Sequence, residues 1–309
     1  MRTLVVTNCT NRKRLDPSAH ARARDLTDGT PTEVAAAWMA RVSQDGCRIP
    51  ADRLYCGRAF SEAIAATKML DARLYIASAG LGLVAAQTLV PSYGATVAPG
   101  TEDSLLPKLF GASSRDWWCA VNTISPFVTT LPLQEAGLLL VALSRPYLQM
   151  MLHDLLAWVE RAPGCLRLFA SAGSDELPLS LRRALMPYDA RLDDPRGPLP
   201  GTKGDFAQRA LRHFVERVLP TSSDAPATVH AERVTESLAG LSAPDLQERA
   251  KRSDAEIRAL IEHHWHEVGG ASSRMLRKLR DGLGVACEQG RFKDLFHQVA
   301  QAREGRLLP

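Results

Sequence analysis

Along the first two thirds of the chain, apolar residues gather in short unbroken runs separated by stretches of helical period. The runs are Thr3–Val6, Arg73–Ala77, Leu138–Ala142 and Leu166–Ala170, each followed by small residues or a polar turn. A short apolar run bounded by turn residues reads as a strand buried on both faces. Between the runs, Pro31–Val42, Ala59–Leu70, Leu148–Arg161 and Ser180–Leu185 carry apolar residues at helical spacing and predict helices. Strands alternating with helices predict an α/β fold, a mainly parallel sheet with helices on both faces. In such a sheet ligands sit at the carboxyl ends of the strands.

The pattern changes after Leu219. The stretch "LPTSSDAPAT" (219–228) is rich in Pro, Ser and Ala and reads as a linker. It would divide an α/β domain, residues 1–218, from a helical domain, residues 229–309. There the spacing predicts helices near Arg233–Leu241, Ala243–Ala250, Ala255–Glu267, Ser272–Asp281 and Arg291–Ala302, with no strand pattern. Residues 272–293 hold six cations, among them Arg274, Arg277, Lys278 and Arg280, against two acids. Helix, Gly-Gly turn and basic helix are compatible with a helix-turn-helix-like nucleic-acid module. A packing bundle with a solvated basic face reads the same way.

Composition narrows the class. The 45% apolar and 23% charged residues suit a globular chain, and no apolar run is long enough to predict a membrane span. The amino terminus enters a strand directly, without the pattern of a secretory signal. Six scattered cysteines form no C-x-x-C pair, so a reduced cytoplasmic protein without a disulfide framework is expected. "GLGLVA" is not a dinucleotide fingerprint, since position 85 is alanine, and there is no phosphate loop. His263, His264 and His266 read as a helix surface, so neither a metal nor a cofactor is expected.

The candidate chemistry lies where strands end. Cys9, Ser78, Ser144 and Ser171 each follow a predicted strand. Cys9, beside Asn8, is the cysteine that adds neighbouring cations, Arg12, Lys13 and Arg14, which favour a thiolate nucleophile. The alternative is a small buried residue, with the cations on phosphate. Gly80 and Gly82 offer backbone that a ligand can approach closely. The turn Pro91–Gly94 can bring the phenol of Tyr93 to the same strand end. Arg58, beside Cys56, is suited to an anion. In "GTKGDFAQRALRHF" (201–214), Thr202 and Lys203 lie in a polar turn, and Asp205 is placed to cap the next helix. Phe206, Arg209 and His213 lie on that helix.

"TNCTNRKR", "YCGRAF", "LYIASAGLGLV…PSYG" and "GTKGDFAQRALRHF" together resemble the motifs of the YaaA-like superfamily, over roughly residues 1–217. The resemblance implies DNA binding. It extends to members of bacterial systems that place 7-deazaguanine bases in DNA, where the nitrile of preQ0 is converted to the amide. It therefore implies an enzyme whose partner is DNA with the modified base flipped out, alongside other components of the modification system. Cys9 would add to the nitrile, Asp205 would serve as acid or base, and Lys13 or Lys203 would assist. Asn8, Ser78, Gly80, Gly82, Tyr93, Arg58, Ser171, Thr202 and Phe206 would hold the substrate, with Tyr93 or Phe206 stacking on the base. Arg12, Arg14 and Arg209, with Arg274, Arg277, Lys278 and Arg280, would hold the DNA. The alternative is a non-catalytic DNA-binding protein of stress response or phage defence.

Overall fold

A computed structural model describes residues 2–171, 177–245 and 249–305 of the chain. It divides into two compact units, Met1–Pro244 and Asp245–Pro309.

The first unit is built on a five-stranded sheet. Its strands are β1 (Arg2–Asn8), β3 (Arg73–Ser78), β4 (Gly82–Ala85), β6 (Ala136–Ala142) and β7 (Leu166–Phe169), in the order β4-β3-β1-β6-β7. All neighbours are parallel except β4, which turns back on β3. Successive side chains of a strand point to opposite faces, yet Leu4, Val5 and Val6 are all fully buried. That is why the central strand reads as an unbroken apolar run. Two short strands, β2 (Arg48–Pro50) and β5 (Leu89–Pro91), pair separately and antiparallel.

The helices of this unit are α1 (Pro31–Val42), α2 (Ala51–Leu54), α3 (Arg58–Met69), α4 (Ser114–Ile124), α5 (Arg145–Met150), α6 (Leu152–Arg161), α7 (Leu179–Ala184), α8 (Phe206–His213) and α9 (Ala227–Ser237). The bounds of α1 follow from its ends. Thr30 and Glu33 form a reciprocal capping box and Pro31 fills the first turn. A second capping box, Ser113 with Asp116, starts α4, a helix the apolar spacing does not announce. The single helix expected over Leu148–Arg161 is two, because the chain leaves helical geometry at Met151.

The expected linker is not a linker. Leu219 is buried, α9 begins inside the stretch, and His230 of α9 bonds to Arg167 of β7. Pro, Ser and Ala mark turns here, but the turns are packed, and the boundary lies at Pro244.

The second unit holds α10 (Asp254–His263), α11 (Ser272–Arg277) and α12 (Gln289–Gly305) around its own small core of Ile257, Ile261, Met275, Leu279, Phe292 and Leu295. A π-helical turn over Lys278–Gly282 continues α11. The helix expected over Ala243–Ala250 is not formed by its described residues. Instead β8 (Ala250–Lys251) pairs with β9 (Val285–Ala286), strands too short to leave an alternating pattern. Among the described residues no helix is long and apolar enough to cross a membrane.

Candidate active site

The order of the sheet selects the place. The chain runs from β1 to β3 on one side, then crosses to β6 on the other side of β1. The carboxyl ends of β1 and β6 therefore flank a topological switch point, where open α/β sheets bind ligands.

Cys9 stands there. Its N–H bonds to the carbonyl of Ala77 at 2.9 Å, continuing the ladder one residue beyond β1. Its thiol is buried and faces three groups from three other segments. Tyr147, one turn into α5, puts its hydroxyl 3.0 Å from the sulfur. The N–H of Ala79, just past β3, donates at 3.4 Å, and the hydroxyl of Tyr93, just past β5, donates at 3.5 Å. The turn that aims Ala79 is locked by two indoles, Trp117 Nε1 on the carbonyl of Ala79 at 2.7 Å and Trp38 Nε1 on that of Gly80 at 2.6 Å.

A second ring of hydroxyls stands behind Tyr93. Ser78 Oγ lies 2.6 Å from Tyr93 and 3.1 Å from Tyr55, and it accepts the N–H of Leu81 at 3.0 Å. Tyr55 and Tyr93 are themselves 3.0 Å apart. One arrangement of protons satisfies the chain: Tyr55 donates to Ser78, Ser78 to Tyr93, and Tyr93 to the sulfur. Burial, reinforced by electrostatic interaction with the neighbouring Cys9, pushes the phenols of Tyr55, Tyr93 and Tyr147 above the usual tyrosine range. They are protonated donors at neutral pH.

Lys13 covers this cluster. Its ammonium stands 4.1 Å above the centre of the Tyr93 ring and 5.9 Å from that of Tyr55. Burial lowers its pKa from the usual lysine value, opposed by attraction to Cys9, Asp103 and Cys56. The loop carrying it is tied to the turn between α2 and α3. Thr10 Oγ1 bonds to the carbonyl of Cys56 at 2.8 Å, and Cys56 N–H to the carbonyl of Arg12 at 3.1 Å.

On the β6 side of Cys9, a buried amide pair braces the strands. Asn8 Oδ1 accepts the N–H of Ser144 at 2.9 Å and Gln208 Nε2 at 3.1 Å, while Asn8 Nδ2 bonds to the carbonyl of Cys9 at 2.9 Å. Gln208 of α8 also reaches Thr7 Oγ1 and the carbonyl of Ala142, both at 3.1 Å. The hydrogen-bonding atoms of Asn8 are thus committed to the strand ends.

Several expected roles are corrected. Arg209 is fully buried and cannot meet DNA. It bonds to Asp205 at 2.6 Å, to Asp193 at 2.5 Å and to the carbonyls of Leu199 and Thr202. Asp205 takes that bond and the N–H of Thr202 at 2.8 Å, so its carboxylate organises the Gly-rich turn. Phe206 is buried beside Arg209 and offers no face for a base. Tyr93 is fully buried too, edge-on to Trp38 and capped by Lys13, so it serves as a donor and not as a stacking platform. Arg58 is held by Glu62 at 3.5 Å, by Asp205 at 3.6 Å and by the carbonyl of Pro200. Gly80 and Gly82 make room for protein. A Cβ at position 80 would lie 2.6 Å from the Tyr93 ring, and one at position 82 would lie 2.5 Å from Val128.

Ser78 joins the cluster, whereas Thr202 and Lys203 are exposed on the Gly-rich turn. Ser171 follows β7 and is half-buried, while the polar residues that follow it at the same strand end in the sequence, Ser174, Asp175 and Glu176, lie outside the described residues. Arg12 and Arg14 are exposed. In the second unit Lys278 pairs with Glu267 at 2.6 Å and Arg280 bonds to the carbonyl of Cys287 at 2.8 Å, which removes both from a free basic face. Arg274 and Arg277 are exposed.

Sequence reasoning missed Tyr147, Tyr55 and Gln208. The first had a signal, since it sits one helical turn beyond Ser144 at a strand end. Among the described residues no group of three His, Cys, Asp or Glu side chains is placed to hold a metal. Comparison with family models, with curated proteins and with solved structures returned no match.

Proposed function

We propose that this chain is a cysteine-dependent enzyme of DNA 7-deazaguanine modification, of the DpdC type within the YaaA-like superfamily. It hydrates the nitrile of preQ0 in DNA to the amide. The observation that carries this reading is the Cys9 sulfur at the switch point, faced by Tyr147, Tyr93 and the N–H of Ala79. The reading takes the sheet as covered by helices on both faces, and the 245–309 unit as a helical module that holds DNA through Arg274 and Arg277.

The chemistry balances on these groups. The Cys9 thiolate forms a C–S bond to the nitrile carbon, and one π pair moves to nitrogen, which takes a proton from a phenol. Water adds to the carbon of the resulting thioimidate, and one of its protons passes through the Lys13 amine to the nitrogen, giving a tetrahedral adduct that carries OH, NH2 and sulfur. The C–S bond then breaks, its electron pair returns to sulfur, the remaining O–H proton returns to the phenolate, and the amide is released with thiolate, phenol and amine restored. One water is consumed. The donors around the sulfur match the charge that leaves it and returns to it. Asp205, bound to Arg209, takes no part.

The test is mass spectrometry of nucleosides from DNA containing 7-cyano-7-deazaguanine after incubation with the protein. The expected result is a gain of one water on that nucleoside. Cys9→Ala should lose the activity by about 10³-fold or more. Full activity in Cys9→Ala would overturn the covalent route. An unchanged nucleoside on DNA that nonetheless binds would favour a non-catalytic DNA-binding protein.

A further inference from the structure

We infer that the groove beside α2 and α3 is a phosphate-binding track for the nucleic-acid strand that carries the reacting base. This inference rests on the reading of DNA as substrate, but not on the nitrile chemistry.

The groove has a volume of about 680 Å³. Arg14, Arg53 and Lys68 line it, against one lining acid, Asp52. All three cations are exposed, and among the described residues none of them forms an ion pair. Arg12, Arg115, Arg161 and Arg183 are also exposed and form no ion pair among the described residues, but none of them lines this groove. Arg22 and Arg24 are tied to Asp103 and Glu102, and Arg58 and Arg212 to Glu62. Asp52 Oδ2 accepts Gln87 Nε2 at 2.8 Å, while its buried Oδ1 has no hydrogen-bond partner, so the groove carries three cations against one carboxylate.

A solvated basic surface would also leave three cations unpaired. Their convergence on one groove against the catalytic cluster argues for a ligand. Tyr55 lines the groove, and its hydroxyl belongs to the chain of donors that ends on Cys9. Cys56 lines it too, and its carbonyl and N–H hold Thr10 and Arg12 of the loop that carries Lys13. Ile49, Pro50, Phe60 and Ile64 supply a low-dielectric wall, which strengthens the field of the cations at its edge. Two guanidinium groups and an ammonium are the groups that bind phosphate oxygens.

The experiment is fluorescence anisotropy of the full chain with an unmodified single-stranded oligonucleotide over a series of salt concentrations. The variants are R53Q/K68Q and, as a surface control, R183Q. Each released phosphate contact should lower the slope of log K against log salt by about 0.7 for a single strand. The double variant should therefore lose about 1.4 of that slope and bind 10-fold or more weakly at low salt, with the control unchanged. Circular dichroism and a melting curve show that both variants are folded.

An unchanged slope in R53Q/K68Q, or wild-type protein without salt-dependent binding, overturns the inference. So does competition by a mononucleotide at strength equal to the oligonucleotide, which would assign the groove to a free nucleotide. Hydration of the nitrile with an unchanged slope would sink the track alone. Loss of slope without any hydration would sink the nitrile reading alone.

Discussion

Tyr147 is a donor placed on sulfur. Its hydroxyl is 3.0 Å from Cys9, and its phenol is held protonated by burial. Replacing it with Phe removes the donor and keeps the ring. The expected cost is about 1 kcal/mol of stability, the net worth of one hydrogen bond. If the phenol supplies the proton in the proposed reaction, turnover of the nitrile should fall by about 10²-fold. Steady-state kinetics beside a denaturant titration separates the two effects. A loss of activity explained wholly by unfolding would remove Tyr147 from the chemistry. Cys9 itself shows how a residue's surroundings exceed its local sequence. The adjacent cations drew attention to it, yet the groups that touch it come from Ala79, Tyr93 and Tyr147.

At the scale of the element, α8 and the Gly-rich turn before it act as one unit. Arg209 has no exposure and binds two acids and several carbonyls, while a Cβ at Gly201 would fall 2.2 Å from its Nε. The turn wraps the guanidinium, and α8 in turn places Gln208 under the strand ends. Arg209→Met would leave Asp205 and Asp193 without their buried partner. Breaking a buried ion pair from one side costs about 3–5 kcal/mol. A fall in unfolding free energy by that amount is expected from a denaturant titration. A loss of DNA binding with stability unchanged would return Arg209 to the surface role that its sequence suggested.

At the scale of the molecule, the first unit is closed by a buried contact between its sheet and its last helix. Arg167 Nε donates to His230 Nδ1 at 2.7 Å, and His230 Nε2 donates to the carbonyl of Ser222 at 2.6 Å. Burial, together with the charge of Arg167, lowers the pKa of His230, against the Ser222 hydrogen bond, which raises it. Burial and Arg217 lower that of His213, against Glu216. Both imidazoles ionise more readily in the unfolded chain, near the usual value of about 6.5. The unfolded state therefore binds more protons at these two sites below that pH, so they take stability away as pH drops below about 6.5 and add no pH dependence above it. Melting at pH 7.5 and pH 5.5 should show the loss, and His230→Gln should reduce the difference between them. An identical difference in His230→Gln would exclude this contact as the sensor.

Much was legible in order along the chain. The four apolar runs became the four parallel strands, because a strand buried on both faces must be apolar throughout. Pro31–Val42 has the bounds its caps dictate. Cys9, Ser78 and Tyr93 were singled out from strand-end positions and turn chemistry, and they meet in one cluster. The short strands β2, β4, β5, β8 and β9 left no readable period, and the turns at 219–228 looked the same whether packed or free. Charge was the least legible property. Arg209 and Phe206 carry the residue types of a binding surface, yet both are interior. Arg53 and Lys68 carry no motif and line an open groove. Local sequence determined which segments become strands and helices, since period and capping act over a few residues. Only the tertiary structure decided which cations are free and which donors face the sulfur, because both depend on contacts between residues far apart in the chain.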